Sequence, residues 1–267
     1  MKTRTVNGVK VAYLERGTGP AVLLVHGFPL DHTMWSAQLE ALCDRHRVIV
    51  PDLRGFGRSG VTPGTVTMEQ FADDLAALLD GLGIGEPVAL GGLSMGGYVA
   101  FQFVRKHARR LAALMLCDTR AVADTPEQVE NRRQTADRLE RDGTSWRPET
   151  MIPRLFAKST VESRPEIVAA MREVMAAGDP RGLAAASRGM ALRPNATTLL
   201  ERIACPTLVL VGAEDALSPA AEMRRIASAI EKSRCVEIPA AGHMAPVEQP
   251  QAVNAALGAF LGEVFAA

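Results

Sequence analysis

With 267 residues, 47% of them hydrophobic, the chain can bury one large core and still carry an insertion. Lys plus Arg numbers 30 and Asp plus Glu also 30, so the basic excess that nucleic acid or an anionic membrane calls for is missing, and both are excluded as main partners. No apolar run is long enough to span a bilayer, the first residues carry no signal-like apolar core, and Cys43, Cys117, Cys205 and Cys235 fit neither C-x-x-C nor a zinc pattern. A cytoplasmic protein with reduced thiols, monomeric or homodimeric, is therefore expected.

In chain order, Thr3 to Leu14 reads as two short strands turned at Asn7-Gly8, a dipeptide that tolerates positive φ. Ala21 to Val25 is a continuous apolar run, as in a strand covered on both faces. It ends at His26-Gly27-Phe28-Pro29, and Trp35 to Leu42 then reads as a short helix. Arg47 to Pro51 is another buried strand, followed by a glycine-punctuated loop from Asp52 to Gly60. Thr67 and Gln70 form a capping box, and Phe71, Leu75, Leu78, Leu79 and Leu82 make one helical stripe. Val88 onwards is a strand, Gly97 to His107 a helix, and Leu111 to Cys117 a strand. The alternation predicts an α/β domain with a mainly parallel sheet.

After Asp118 the pattern changes. From Thr125 to Ala191 only helix-like pieces occur: Pro126 to Arg141, Thr150 to Phe156, Pro165 to Ala177 and Pro180 to Met190. Thr207 to Gly212 resumes the strand pattern, Pro219 to Ile230 is helical, Arg234 to Ile238 is a last strand, and Gln251 to Phe265 a last helix. The organisation predicted is a core in two parts, 1–120 and 196–267, with a helical cap at 121–195 over the C-terminal ends of the strands, where open α/β sheets bind ligands.

The chemistry centres on Gly92-Leu93-Ser94-Met95-Gly96, a G-x-S-x-G pattern between a predicted strand and a predicted helix. A serine on that tight turn lifts its hydroxyl clear of the sheet, and the flanking glycines let strand and helix pass closely. Neither dinucleotide nor P-loop glycine spacing can be laid on this stretch. A serine hydroxyl needs a base, and the base an orienting group. Of five histidines, His32, His46 and His107 read as surface residues and His26 as a loop-shaping residue that lines the pocket. His243, in a small-residue loop after the last strand, is the candidate base. Asp118 and Asp215 both end strands on the correct edge. Asp215 is favoured over Asp118 and over its neighbour Glu214, following the chain order Ser…Asp…His. The backbone N–H groups of Met95 and Phe28 are the candidate oxyanion donors.

These residues, together with His26-Gly27-Phe28-Pro29, the Asp52 to Gly60 loop, Gly212 to Asp215 and Gly242-His243, resemble the markers of the α/β-hydrolase superfamily over nearly the whole chain. Within it the chain is most similar to small carboxylesterases and 3-oxoadipate enol-lactonases. The resemblance implies a mostly parallel eight-stranded sheet flanked by helices, with the cap inserted after the sixth strand. It also implies a triad of Ser94, Asp215 and His243 and no cofactor. Serine at the elbow argues against haloalkane dehalogenases and epoxide hydrolases, which carry aspartate there.

An ester or lactone hydrolase acting on a small molecule is the leading expectation. Carbon–carbon hydrolases of ring-cleavage products and perhydrolases use the same groups, and a slow receptor on this fold is the non-enzyme alternative. Metal-dependent hydrolysis lacks H-E-x-x-H or a histidine cluster. Pocket candidates are His26, Phe28, Met95, Trp146, Leu217 and Met244, with Met151, Leu155, Phe156, Met171 and Met175 as further apolar candidates. The many alanines and few aromatics predict a modest, mostly aliphatic pocket. Arg132, Arg133, Arg147 and Arg154 are candidates for a carboxylate-binding group, and an anionic lactone would need one of them pointing inward.

Overall fold

The computed structural model describes residues 1–266. One sheet holds β1 (Lys2–Val6), β2 (Val9–Arg16), β3 (Ala21–Val25), β4 (Arg47–Pro51), β5 (Val88–Leu93), β6 (Leu111–Cys117), β7 (Thr207–Gly212) and β8 (Ser233–Ile238). Their spatial order is β1-β2-β4-β3-β5-β6-β7-β8. The β1–β2 hairpin and the β2–β4 pair are antiparallel, whereas β4 through β8 pair in parallel. This is the eight-stranded, mostly parallel sheet expected from the sequence.

The apolar runs of β3, β5 and β7 are buried at every residue because helices cover both faces. Alternation along each strand divides the core in two. Leu23, Val25, Leu90, Leu114 and Val209 point to the face packed by α2 (Met68–Gly81) and α3 (Met95–His107). Val22, Leu24, Ala89, Met115 and Leu208 point to the face packed by α1 (Ser36–Leu42) and α12 (Pro250–Ala266). α10 (Ala220–Ser228) packs beside β7 and β8.

Between β6 and β7 the chain forms α4 (Pro126–Asp142), α5 (Arg147–Leu155), α6 (Lys158–Ser163), α7 (Pro165–Ala177), α8 (Pro180–Ala191) and α9 (Thr197–Leu200), with no strand. α6, α9 and the four-residue α11 (Ala245–Glu248) are too short to show a hydrophobic period and were not predicted. α5 begins at Arg147 rather than Thr150, with Pro148 in its first turn, a position proline favours. At Thr67 only half the expected capping box forms: its hydroxyl accepts from the Gln70 N–H at 3.2 Å. The reciprocal box is at Thr125 and Gln128, at the start of α4. α8 lies against the loop after β4. The Val66 N–H donates to the Ala185 carbonyl at 3.1 Å, and a Cβ on Gly182 would strike the Gly55 backbone.

Candidate active site

Ser94 joins β5 to α3 with φ 54° and ψ −110°, a conformation L-residues adopt only when their surroundings hold them there. The surroundings do so. Its N–H donates to the Cys117 carbonyl at 2.9 Å, and its own carbonyl accepts from Gly97 and Tyr98 N–H and from the Thr119 hydroxyl. A Cβ on Gly92 would collide with the backbone of Gly96 and Gly97, and one on Gly96 with the Val25 carbonyl. The spacing of the two glycines is therefore a packing requirement. α3, 13 residues long, starts at Met95, so the positive end of its dipole faces the turn. Neither the Phe28 nor the Met95 N–H is spent on a loop or turn carbonyl among the described residues.

The loops after β7 and β8 bring Asp215 to His243. Asp215 Oδ2 lies 2.7 Å from His243 Nδ1. Its other oxygen accepts from the Leu217 and Ser218 N–H groups at 2.7 and 3.0 Å. A carboxylate is acceptor-only, so Nδ1 carries the proton and Nε2 is left as the basic nitrogen. Burial alone raises the Asp215 pKa. The facing His243 and the two backbone donors outweigh it and hold the group below the usual carboxylate range.

Neither alternative to Asp215 is bonded to the imidazole. Glu214 is solvent-exposed. Asp118, fully buried with φ 45°, turns Oδ1 to the Gly212 N–H at 2.8 Å and leaves Oδ2 without a partner. Burial, then the charge of Asp215, raise its pKa well above the ordinary value. Asp118, Asp215 and His243 are also close enough to share a cation, as are Asp31, His32 and Asp52. In each group, however, the imidazole Nδ1 is already bonded to a carboxylate.

Sequence reading missed Glu248. This residue is fully buried on α11 and accepts four hydrogen bonds. Oε1 takes the N–H groups of Gly242 and Met244, the two neighbours of His243, at 2.8 and 3.2 Å. Oε2 takes the Ala157 N–H at 2.8 Å and the Thr160 hydroxyl at 2.7 Å, both at the α6 end of the insertion. One carboxyl group thus pins the histidine loop to the helices above it. Its only sequence signal is a glutamate five residues after His243, followed by a glutamine and a proline.

Ser94, His243, Phe28 and Leu217 line one cavity of about 320 Å³. The sequence places four other pocket candidates there wrongly. His26 is fully buried beneath the loop, where Nδ1 faces the Gly27 carbonyl at 2.9 Å and Nε2 accepts from the Leu53 N–H at 3.0 Å. Burial lowers its pKa, consistent with a neutral ring serving as a brace. The Met95 and Met244 side chains are fully buried in the two cores, off the cavity wall. Trp146 stays behind the wall, bonded through its indole N–H to the Gly143 carbonyl and stacked by Arg138 and Arg147. Among the further apolar candidates, Met151 and Leu155 reach the wall, while Phe156, Met171 and Met175 are buried in the core cluster that continues from the α1 and α12 face of the sheet.

The wall is also not mostly aliphatic. Arg120, Asp124, Gln128, Asn131, Arg132, Thr135, Arg147 and Arg154 contribute to it. Periodicity could not show this, because these polar residues lie on loop and helix faces that would otherwise meet solvent. None of the three histidines expected at the surface is free there. His46 is buried against the Phe265 ring, and His32 and His107 are half-buried and bonded to Asp52 at 2.7 Å and to Asp73 at 2.9 Å.

Residues 22–256 match the model of the "Alpha/beta hydrolase family". A thermophilic esterase from Thermogutta terrifontis, solved with malate bound, superposes with a TM-score of 0.96 at 54% identity, covering 98% of this chain and 97% of that one. The enol-lactonase from Burkholderia xenovorans LB400 superposes at 0.91 with 30% identity over 97% and 99% of the two chains. The 3-oxoadipate enol-lactonase 2 of Acinetobacter baylyi is 29% identical over 97% of this chain and 96% of its own length.

Proposed function

This chain belongs to the alpha/beta hydrolase family, and from that premise we propose that it cleaves carboxylic esters or lactones of small molecules through an acyl-enzyme on Ser94. Its likeness to an esterase and to enol-lactonases over nearly their full lengths supports ester or lactone hydrolysis as the reaction class. The observation that carries the mechanism is the 2.7 Å contact between His243 Nδ1 and Asp215. It fixes the tautomer whose Nε2 accepts a proton, on the wall of the cavity that Ser94 also lines.

In the first half-reaction Ser94 Oγ attacks the substrate carbonyl carbon and His243 Nε2 takes the hydroxyl proton. The carbonyl oxygen becomes an oxyanion, stabilised by the Phe28 and Met95 N–H groups at the positive end of α3. Collapse breaks the bond to the leaving alkoxide, which His243 protonates. In the second half water gives a proton to His243, attacks the acyl carbon and frees the acid with Ser94 restored. Asp215 keeps its charge throughout and stabilises the imidazolium.

The test is turnover of 4-nitrophenyl acetate, with labelling by a fluorophosphonate followed by mass spectrometry. Wild type should turn over and carry the label on Ser94. Folded Ser94→Ala should do neither, and a Ser94→Ala variant with near wild-type turnover rules the mechanism out.

A further inference from the structure

Asp118 is a buried titratable group for which the hydrolytic steps give no task. It follows β6 with φ 45°, a backbone that aspartate tolerates, and is fully buried. Its two neighbours hold the nucleophile. The Cys117 carbonyl accepts the Ser94 N–H at 2.9 Å, and the Thr119 hydroxyl donates to the Ser94 carbonyl at 2.8 Å. Asp118 itself turns the other way. Its N–H donates to the Leu210 carbonyl at 2.9 Å, and its Oδ1 accepts from the Gly212 N–H at 2.8 Å. Backbone and side chain are thus both tied to β7, the strand that leads to Asp215.

One oxygen is left over. Asp118 Oδ2 is buried without a hydrogen-bond partner, a costly position for an ionised carboxylate. The titratable groups around it are Asp215 and His243 on the loops after β7 and β8, Glu248 on α11 and the adjoining Cys117 thiol. Three of these can carry only negative charge. The fourth, His243, already gives its Nδ1 proton to Asp215. Burial, then the charge of Asp215, favour the protonated form of Asp118. A protonated carboxyl carries one O–H, and a buried O–H requires an acceptor.

Asp215 has room for one more donor. A carboxylate offers about four acceptor sites, two on each oxygen. Leu217 and Ser218 fill both sites on Oδ1, and His243 Nδ1 fills one on Oδ2. We infer that Asp118 is a positioning residue for the hydrolytic reaction: its carboxyl O–H donates to the remaining site on Asp215 Oδ2, so that this oxygen is held between Asp118 and the His243 imidazole. The bond has two consequences. It keeps the Asp215 carboxylate from rotating away from Nδ1. It also draws charge from Oδ2, so that the imidazolium is less favoured in the free enzyme and Nε2 stays basic to lower pH. The positioning role rests on the hydrolase reading of Ser94, His243 and Asp215, whereas the shared proton does not.

The experiment measures kcat and KM for 4-nitrophenyl acetate from about pH 5 to pH 9 in wild type, Asp118→Asn and Asp118→Ala. Asp118→Asn keeps an acceptor for Gly212 and an N–H donor for Asp215, so its profile should follow that of wild type. Asp118→Ala leaves Asp215 without the donor. The acid limb of its kcat/KM profile should then move up by about half to one pH unit, because the undiminished charge on Oδ2 favours the imidazolium. Its plateau kcat should fall about tenfold, the scale of one hydrogen bond to a charged group, with KM little changed. Should Asp118→Ala not fold, Asp118→Gly takes its place, since glycine suits the positive φ. Thermal melts of each variant establish that the fold is retained.

A second arm needs no turnover. The infrared spectrum of wild type at neutral pH should contain the C=O band of a protonated carboxyl group that is lost in Asp118→Asn. If that band is missing and the acid limb moves down in both variants, Asp118 is a second negative charge and the proposal is overturned. If the band is present but all three profiles coincide and only the melting temperatures differ, Asp118 serves the fold alone, which overturns the positioning role. An Asp118→Asn protein as impaired as Asp118→Ala overturns the donor assignment. A wild type that turns over no ester but shows the band overturns the hydrolase reading while supporting the shared proton.

Discussion

Asp118 and Asp215 follow the neighbouring strands β6 and β7 with their carboxylates side by side, and an oxygen of each, with a ring nitrogen of His243, falls within 4.8 Å of the others. Only Asp215 is bonded to the imidazole. Two acids so close do not both ionise readily, and their surroundings decide which one keeps the proton. Asp215 has an imidazole and two backbone donors to support its charge. Asp118 has one backbone donor and an orphaned oxygen facing its neighbour's charge. Asp118 is therefore the protonated member, its O–H free to donate towards Asp215.

From this follows a pH-dependent effect on stability. Folded, Asp118 holds its proton at a pH where the unfolded chain has lost it. Stability accordingly declines as pH rises from the ordinary carboxylate pKa near ~3.9 towards the raised folded value. Asp118→Asn has no proton to lose and keeps both the acceptor for Gly212 and a donor for Asp215. Its melting temperature should gain on wild type progressively between pH 5 and pH 8. A constant deficit across that range means that Asp118 is ionised in the folded chain.

Replacing Asp215 should affect rate far more than folding. Asp215→Asn keeps the shape but offers His243 Nδ1 a donor as readily as an acceptor, so the wrong tautomer is populated. A fall of about 10⁴ in kcat is expected, with KM little changed. Steady-state kinetics on 4-nitrophenyl acetate decide it. If Asp215→Asn stays within tenfold of wild type while Asp118→Asn is inactive, the acid roles are exchanged.

Glu248 couples the histidine loop to the insertion. Burial raises its pKa against the four donors it satisfies. Glu248→Ala strands those donors, each of which costs about 1–3 kcal/mol when left buried and unpaired. Chemical denaturation should show a loss of roughly 3–5 kcal/mol. Because two of the stranded donors flank His243, kcat should fall in whatever fraction remains folded. A Glu248→Ala protein with wild-type kcat and a stability loss under ~1 kcal/mol would show that the loop does not depend on it.

What could be read from the sequence, and what could not, divides along physical lines. Ser94 was legible because its turn imposes glycines at Gly92 and Gly96, and strands β3 to β7 because burial on both faces leaves unbroken apolar runs. The acid remained a choice between Asp118 and Asp215, since both positions end strands on one edge and only side-chain direction separates them. Glu248 was missed, and Arg147 could not be told apart from Arg132, Arg133 and Arg154, for a related reason. A charged residue is ordinarily a surface residue, and these two are buried only because α6 and α5 fold down over the core, a tertiary event without any local period. His46 was misplaced in the same way, because the helix that covers it, α12, lies over two hundred residues downstream.

The conformation of Ser94 gives a last prediction. A non-glycine residue at φ 54° and ψ −110° is strained, at a cost of about 1–3 kcal/mol. Ser94→Ala keeps the Cβ and therefore the strain, so it should lose activity by at least ~10⁴ with a melting temperature near that of wild type. Ser94→Gly removes the Cβ. Against the relief stands the extra unfolded-state entropy of glycine, about 0.5–1 kcal/mol, which leaves a net gain on the order of 1 kcal/mol. Urea denaturation of the three proteins, each checked for hydrolysis, measures this. A Gly variant less stable than the Ala variant by about 0.5–1 kcal/mol, the entropy cost alone, would show that the elbow stores no strain. A Gly variant that is inactive yet more stable than wild type means that the exposed hydroxyl is maintained at the expense of the fold.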